Sequence, residues 1–471
     1  MNHQHHEHEP DRSGGRRARS RWWAAGLAGM TGLALTAVGV AVLPATDVVA
    51  RALTSVRPET PDRPSADGER GHRDDGKHHD KAKDKSTGDK DKGKGKKPKG
   101  VPVPCKADAL IAAINHANAR GGAVLDLAPK CTYLLTTNID GAGLPAITTP
   151  ITLNGGKHTT IKRAAAADQF RILTVEVGGD LTLHKLTITG GQISDDGSNG
   201  GGILVNAGGA ATINHSKIIR NIASNGDGGG ITNHGITTIV KSTVNRNTAG
   251  LSGGGIYTTG LLTIKKSHVE ANNASSGGGG IASVGGTVQV GHSTISGNQS
   301  NQGAGMFIDD GVIGTILDTR ITRNTASVDG GGIFLNFSQL AVRRSILAAN
   351  TAVSGGGGGL HSEDGSVTVT DSIIKANTAS AGTGGGVVNL GDTTLFNTKV
   401  TGNTANRGGG LFNDDDDVLT LFNTAVVDNL AIANGGGIFN DEGTVELNTA
   451  TGTVVAKNSP NNCVDVPGCA G

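Results

Sequence analysis

From about residue 180 to residue 460 the apolar and polar positions of the chain recur with a period in the mid-twenties. The unit reads Ser or Thr, any residue, an aliphatic residue, two of any kind, Asn, any residue, Ala. It is clearest in Ser242-Thr-Val-Asn-Arg-Asn-Thr-Ala249, which a glycine run ending on one apolar residue, Gly253-Gly-Gly-Ile256, then follows. The phased asparagines run from Asn221 through Asn247, Asn272 and Asn298 to Asn429, with a looser Asn458. Such a period marks a solenoid. Within the unit the apolar residues alternate over a few positions and never recur at helical spacing, so each coil is a set of short strands joined by turns. Successive coils stack as parallel strands about 4.8 Å apart. The aliphatic positions become inward ladders. Asn is expected where a turn tolerates left-handed backbone, its amide bonded to the Asn of the next coil, and glycine where a corner needs positive φ.

The predicted fold class is therefore all-β, a parallel β-helix solenoid of about 10–12 coils of ~26 residues, roughly 50–60 Å long. A leucine-rich repeat has a similar period, but here Ile and Val hold the ladder and glycine sits where that repeat needs its convex segment. Residues 101–180 carry a different pattern and are expected to form the cap and first coils. The stretch from Ala107 to Ala119 places Leu110, Ile111, Ile114 and Ala117 on one helical face, and Gly121-Gly122 stops that helix. The repeats proper are assigned to 181–460 and a disulfide-bearing tail to 461–471.

The Gly-Gly-Ala/Gly-Ile and Asn-Thr-Ala repeats resemble those of the secreted Gly-rich group of the pectin-lyase-like superfamily and of polymorphic outer membrane proteins. Cys105 with the helix through Ile114, the stretch Leu144 to Leu153 and Leu186-Thr-Ile-Thr-Gly-Gly191 look like that group's N-terminal cap and first coils. The resemblance covers about residues 101–460 and implies a right-handed parallel β-helix with three strands per turn. It implies no single activity, because the superfamily includes lyases, hydrolases, adhesins and autotransporter passengers. The motifs of its lyases and polygalacturonases are missing: there is no Arg-x-Pro-x-x-Arg in the repeats, no Asn-Thr-Asp and no Gly-His-Gly.

Charge changes the picture at the N-terminus. The net charge is +1, yet residues 1–100 hold 20 Lys/Arg and 14 Asp/Glu, a balance of +6 that leaves −5 for the rest. Residues 1–21 read as a basic, His-rich cytoplasmic tail. Arg16, Arg17, Arg19 and Arg21 lead into an uncharged run from Trp22 to Thr46, so residues 22–50 read as an export signal or a membrane anchor. Either places the remainder outside the cytoplasm. Residues 51–100, rich in Lys, Asp and Gly, are expected to be a disordered linker. Four cysteines fit an exported chain and allow three pairings; the local ones, Cys105 with Cys131 and Cys463 with Cys469, are the natural choice.

Stacking turns equivalent positions into stripes. The residue before each Ser/Thr and its neighbouring columns give a basic strip, Lys241, Arg246, Lys266, His292, Arg320 and Arg344, suited to an anionic polysaccharide or wall polymer. The turn after each Gly-Gly-Gly-Ile strand is acidic in the C-terminal half. There Asp414, Asp415, Asp441 and Glu442 are candidate Ca²⁺ ligands or an acid/base pair for glycoside hydrolysis. His268 and His361 read as isolated surface histidines. No nucleic-acid partner is expected, because the folded part is acidic with few aromatics. The functional expectation is a surface or secreted binding protein without catalysis, with a polysaccharide lyase or glycoside hydrolase as the alternative.

Overall fold

The computed structural model describes residues 100–195, 197 and 199–470. The expected tail, the signal or anchor segment, and the linker up to residue 99 lie outside the described residues. Among the described residues no helix is long and apolar enough to cross a membrane.

One coil shows how the pattern becomes structure. Ile231–Asn233 and Ile236–Val240 are strands bent apart at His234-Gly235. Thr243–Asn245 and Thr248–Ala249 follow, and a glycine loop leads to Ile256–Thr258 of the next coil. Alternation points Ile239, Val244 and Ala249 inward, each fully buried. Their ladder partners one coil on are Ile264, Val269 and Ala274, all in parallel register. Stacking gives three parallel sheets of 24, 13 and 10 strands. The first is the largest because each coil contributes two segments to it, which fuse into one bent strand at Leu360–Thr370 and Val387–Phe396. The expected three strands per turn are thus three sides, the first of them folded in two.

Thirteen rungs in the second sheet exceed the expected ten to twelve coils. Thr132–Leu135, Thr160–Arg163 and Thr187–Thr189 extend that sheet ahead of the first repeated Asn, and they lack the motif that made later coils countable. Twelve intervals of about 4.8 Å give roughly 58 Å.

The asparagine ladder corrects one expectation. The left-handed residue is the one before each Asn, such as Arg220, Arg246, Ala271 and Arg323, with φ between 51° and 55°. Asn itself is buried. Asn247 Nδ2 donates to Asn272 Oδ1 and to the Ile218 carbonyl, both at 3.0 Å. Asn247 Oδ1 accepts the backbone N–H and the Nδ2 of Asn221, also at 3.0 Å. Both amide hydrogens and both lone pairs are therefore used, which lets a polar side chain sit in a dry core. Asn462 ends the ladder by accepting the backbone N–H and Nδ2 of Asn458.

The glycines of each run serve two needs. Gly253 turns the loop at φ +70°, whereas a Cβ on Gly255 would lie 2.5 Å from the Gly280 carbonyl oxygen and 2.9 Å from Asn272 Nδ2. At one end the helix Ala107–Ala119 buries Leu110, Ile114 and Ala117 against the first coils. The disulfide Cys105–Cys131 ties that cap down, and Cys463–Cys469 closes the loop after the last coil. Two disulfides and no free cysteine among the described residues mark an oxidising, extracytoplasmic environment.

Candidate functional site

The corner between the first and second sheets is built from one left-handed residue per coil. In six successive coils that residue is His158, Lys185, His215, Lys241, Lys266 and His292, with φ from 48° to 61° and every side chain exposed. Left-handed backbone costs an ordinary L-residue about 1–2 kcal/mol, and Gly or Asn is the cheaper choice. Asn397 and Asn423 take the same position further along. The corner is held from beneath by the Ser/Thr ladder. Ser242 Oγ accepts the Ser216 backbone N–H at 3.0 Å and donates to the Val240 carbonyl at 2.8 Å.

At its N-terminal end the corner opens into a groove of about 370 Å³ whose lining includes Lys157, His158, Lys185, His215 and Lys217. Lys157, His158 and Lys185 escaped the sequence reading because Ala164 and Gly191 stand where later coils have the phasing Asn. The available signal was a basic residue preceding a buried one that opens a strand.

The predicted basic residues divide. Lys241, Lys266, His292 and Arg344 share the corner. Arg246 lies at the opposite edge of the second sheet, and Arg320 faces outward from its strand Arg320–Thr322. Asp318 occupies the corner after His292 and ends the cationic run. Arg344 donates two hydrogen bonds to it, Nε at 2.9 Å and Nη2 at 3.0 Å, and His292 Nδ1 lies 3.5 Å from its other side. The Arg344 guanidinium holds the Asp318 carboxyl below the usual range, with smaller help from His292. Arg344 is therefore already engaged, and the corner lysines Lys185, Lys241 and Lys266 lie on the N-terminal side.

The acidic turns do align, at the bend between the two segments of the first sheet. Asp364, Asp392, Asp416 and Asp417 line a groove of about 570 Å³ beside Phe337, which is 62% exposed. Among the described residues no group of three His, Cys, Asp or Glu side chains is placed to hold a metal ion. The repeats stack these turns coil on coil along the edge: Glu363 and Asp364, then Asp392, then Asp414 to Asp417, then Asp441 and Glu442.

Two features were missed from sequence. His361 is not a surface histidine: it is 6% exposed and stacks on Phe334 with ring centroids 5.1 Å apart, continuing the Phe307–Phe334 stack. The loop after the third sheet covers this column. Asp227, His234 and Tyr257 form a half-buried group in the same region. Burial pushes Tyr257 up to about 12, with the Asp227 and Asp310 charges adding to it. Burial also raises Asp227 and lowers His234. His234 Nδ1 lies 2.9 Å from Thr259 Oγ1, and its ring meets Tyr257 edge-on at 6.4 Å.

Comparison of the chain with protein-family models, with curated proteins and with solved structures found no match.

Proposed function

We propose that this chain is an exported or surface-anchored β-helix, similar to the pectin-lyase-like group, that binds an anionic wall or extracellular polymer along its corner groove without catalysis. The observation that carries the reading is the run of Lys and His in six successive coils at a left-handed position where Gly or Asn would be less strained. Exposed charge held at a conformational cost favours binding over fold maintenance. The coil spacing of about 4.8 Å presents one Lys or His per rung, which suits a linear polymer with regularly repeated anionic groups. The test is retention of the full chain on polygalacturonate and on poly(glycerol phosphate). A lysine near an anionic surface contributes about 1 kcal/mol, so the triple variant K185E/K241E/K266E should bind roughly 100-fold more weakly. Unchanged retention would remove the corner from the account.

The group of Asp227, His234 and Tyr257 favours a second reading, a polysaccharide lyase or glycoside hydrolase. Displaced proton affinities gathered in one place are a common mark of acid/base sites. Release of unsaturated or reducing products from a glycan panel, abolished by Tyr257→Phe, would support it.

A further inference from the structure

The third sheet turns to solvent two columns of side chains that carry no charge, Arg407 at the end of one strand lying outside them. Eight of its ten strands are two residues long, as in Thr325–Ala326 and Thr351–Ala352, and the last two, Thr404–Arg407 and Leu430–Asn434, are longer. The first residue of each points outward, the second is buried, and the residue after the strand points outward again. Ten coils therefore contribute twenty outward positions in two columns. One column runs from Gln192 to Leu430, the other from Ser194 to Ile432. Every one of the twenty is Thr, Ser, Asn, Gln, Gly or an aliphatic residue, and none is buried. The neighbouring left-handed column, by contrast, holds Arg220, Arg246, Arg323 and Asp428. Exposed positions on a rod with 49 charged residues after residue 100 (22 Lys/Arg and 27 Asp/Glu) would not stay uncharged over ten coils without a reason.

We propose that this face is a second binding surface, for a single extended chain of a neutral glycan. The two columns stand about 7 Å apart, and the rungs repeat every 4.8 Å or so over about 43 Å. With side-chain width added that is roughly 450 Å², well short of the 800 Å² or so per partner of a stable protein interface. It is the footprint of a narrow chain. Midway along, the surface is concave: Asn273, Gln299, Asn301, Thr325 and Ser327 line a groove of about 310 Å³ that crosses three coils and reaches Val353 on a fourth. Amides and hydroxyls both donate and accept, as sugar hydroxyls require, while an anionic polymer finds no counter-charge here. Ser327 Oγ donates to Asn301 Oδ1 at 2.9 Å, which fixes one amide across two coils. No aromatic ring lies in either column, so each rung adds little and affinity accumulates along the chain. The inference does not depend on the cationic corner. A rod with both surfaces would bridge a neutral polymer and an anionic one.

The experiment titrates the full chain with cello- and chito-oligosaccharides of two to eight sugars, at low salt and in 1 M NaCl. Affinity should rise with each added sugar and be insensitive to salt. Thr325→Lys, an exposed change that circular dichroism should show to be folded, should weaken binding about tenfold or more, because an uncompensated charge is placed against an uncharged ligand. K185E/K241E/K266E should leave it unchanged. Polyanion retention without neutral-glycan binding would overturn this inference and leave the corner reading standing. Binding that falls in the triple variant, or self-association of the rod abolished by Thr325→Lys, would overturn it as well.

Discussion

Replacing Asn298 by alanine tests whether the asparagine ladder holds the coils together. Asn298 is fully buried. Its Nδ2 donates to the Val269 carbonyl at 3.0 Å and to Asn324 Oδ1 at 2.9 Å. Its Oδ1 accepts the backbone N–H and Nδ2 of Asn272 at 2.9 and 3.1 Å. Alanine removes all four bonds. Asn324 Oδ1 keeps the Asn298 backbone N–H at 3.0 Å, but two donors of Asn272 lose this partner in a dry core. At about 1 kcal/mol per bond, with orphaned buried groups costing more, the loss comes to about 4 kcal/mol. Gln299, the exposed neighbour, should cost under about 0.5 kcal/mol when changed to alanine. Asn298→Asp should be at least as damaging as alanine, because a carboxylate of the same shape faces two acceptors. The assay is urea denaturation of the full chain followed by far-ultraviolet circular dichroism, comparing midpoints and slopes. Because coils touch only their neighbours, a weakened rung should also lower the slope by dividing the unfolding transition. A cost below about 1 kcal/mol, or one equal to that of Gln299→Ala, would refute the ladder's role.

Three further outcomes follow from the coil geometry and its buried groups. Gly230→Ala should destabilise by about 2–4 kcal/mol in the same assay, because the new Cβ would lie 2.5 Å from the Gly255 carbonyl oxygen and 2.9 Å from Asn247 Nδ2. At the corner, Lys241→Gly should be neutral or stabilising by up to about 1 kcal/mol while weakening polyanion retention, and Lys241→Val should cost about 1–2 kcal/mol, since β-branching is poorly accommodated at φ 48°. Burial holds His234 below its ordinary range, so the folded chain binds that proton less tightly than the unfolded chain and stability falls as pH drops below about 6.5. Asp227 is raised and has the opposite slope, gaining stability as pH falls toward the carboxylate range. Urea midpoints measured from pH 7.5 to 5.5 should therefore decline, and His234→Gln should flatten the decline.

The repeat was legible because its Ser, aliphatic, Asn, Ala and Gly positions each answer to a rung-by-rung constraint that leaves few alternatives. Asn247 saturates four hydrogen-bonding sites and Gly255 touches the next coil, so neither can vary freely. Less could be read where the constraint concerns conformation alone. A left-handed corner accepts Lys, His, Asp, Arg or Asn, and nothing in Arg246 says that it, rather than Asn247, turns the chain. The first three rungs were hard to count because Thr136, Ala164 and Gly191 stand where later coils have the ladder Asn, without changing the backbone path. The cover over Phe334 and His361 comes from a glycine-rich loop with no apolar pattern of its own, so their burial was invisible in the periodicity. Of the basic residues, sequence could align Lys241, Lys266 and His292 but could not show that Asp318 takes Arg344. The uncharged third face was present in the Asn-Thr-Ala motif, yet only the alternation of exposure identified which residues turn outward.

Lysine acetylation footprinting of the full chain, with and without polygalacturonate, tests the central claim most directly. It separates the corner from the basic stretch before residue 100, which also attracts polyanions. The account predicts protection of Lys157, Lys185, Lys217, Lys241, Lys265 and Lys266, with Lys375, Lys399 and Lys457 reacting as in the free chain. Protection confined to the lysines from Lys77 to Lys99, or spread evenly over the rod, would contradict it.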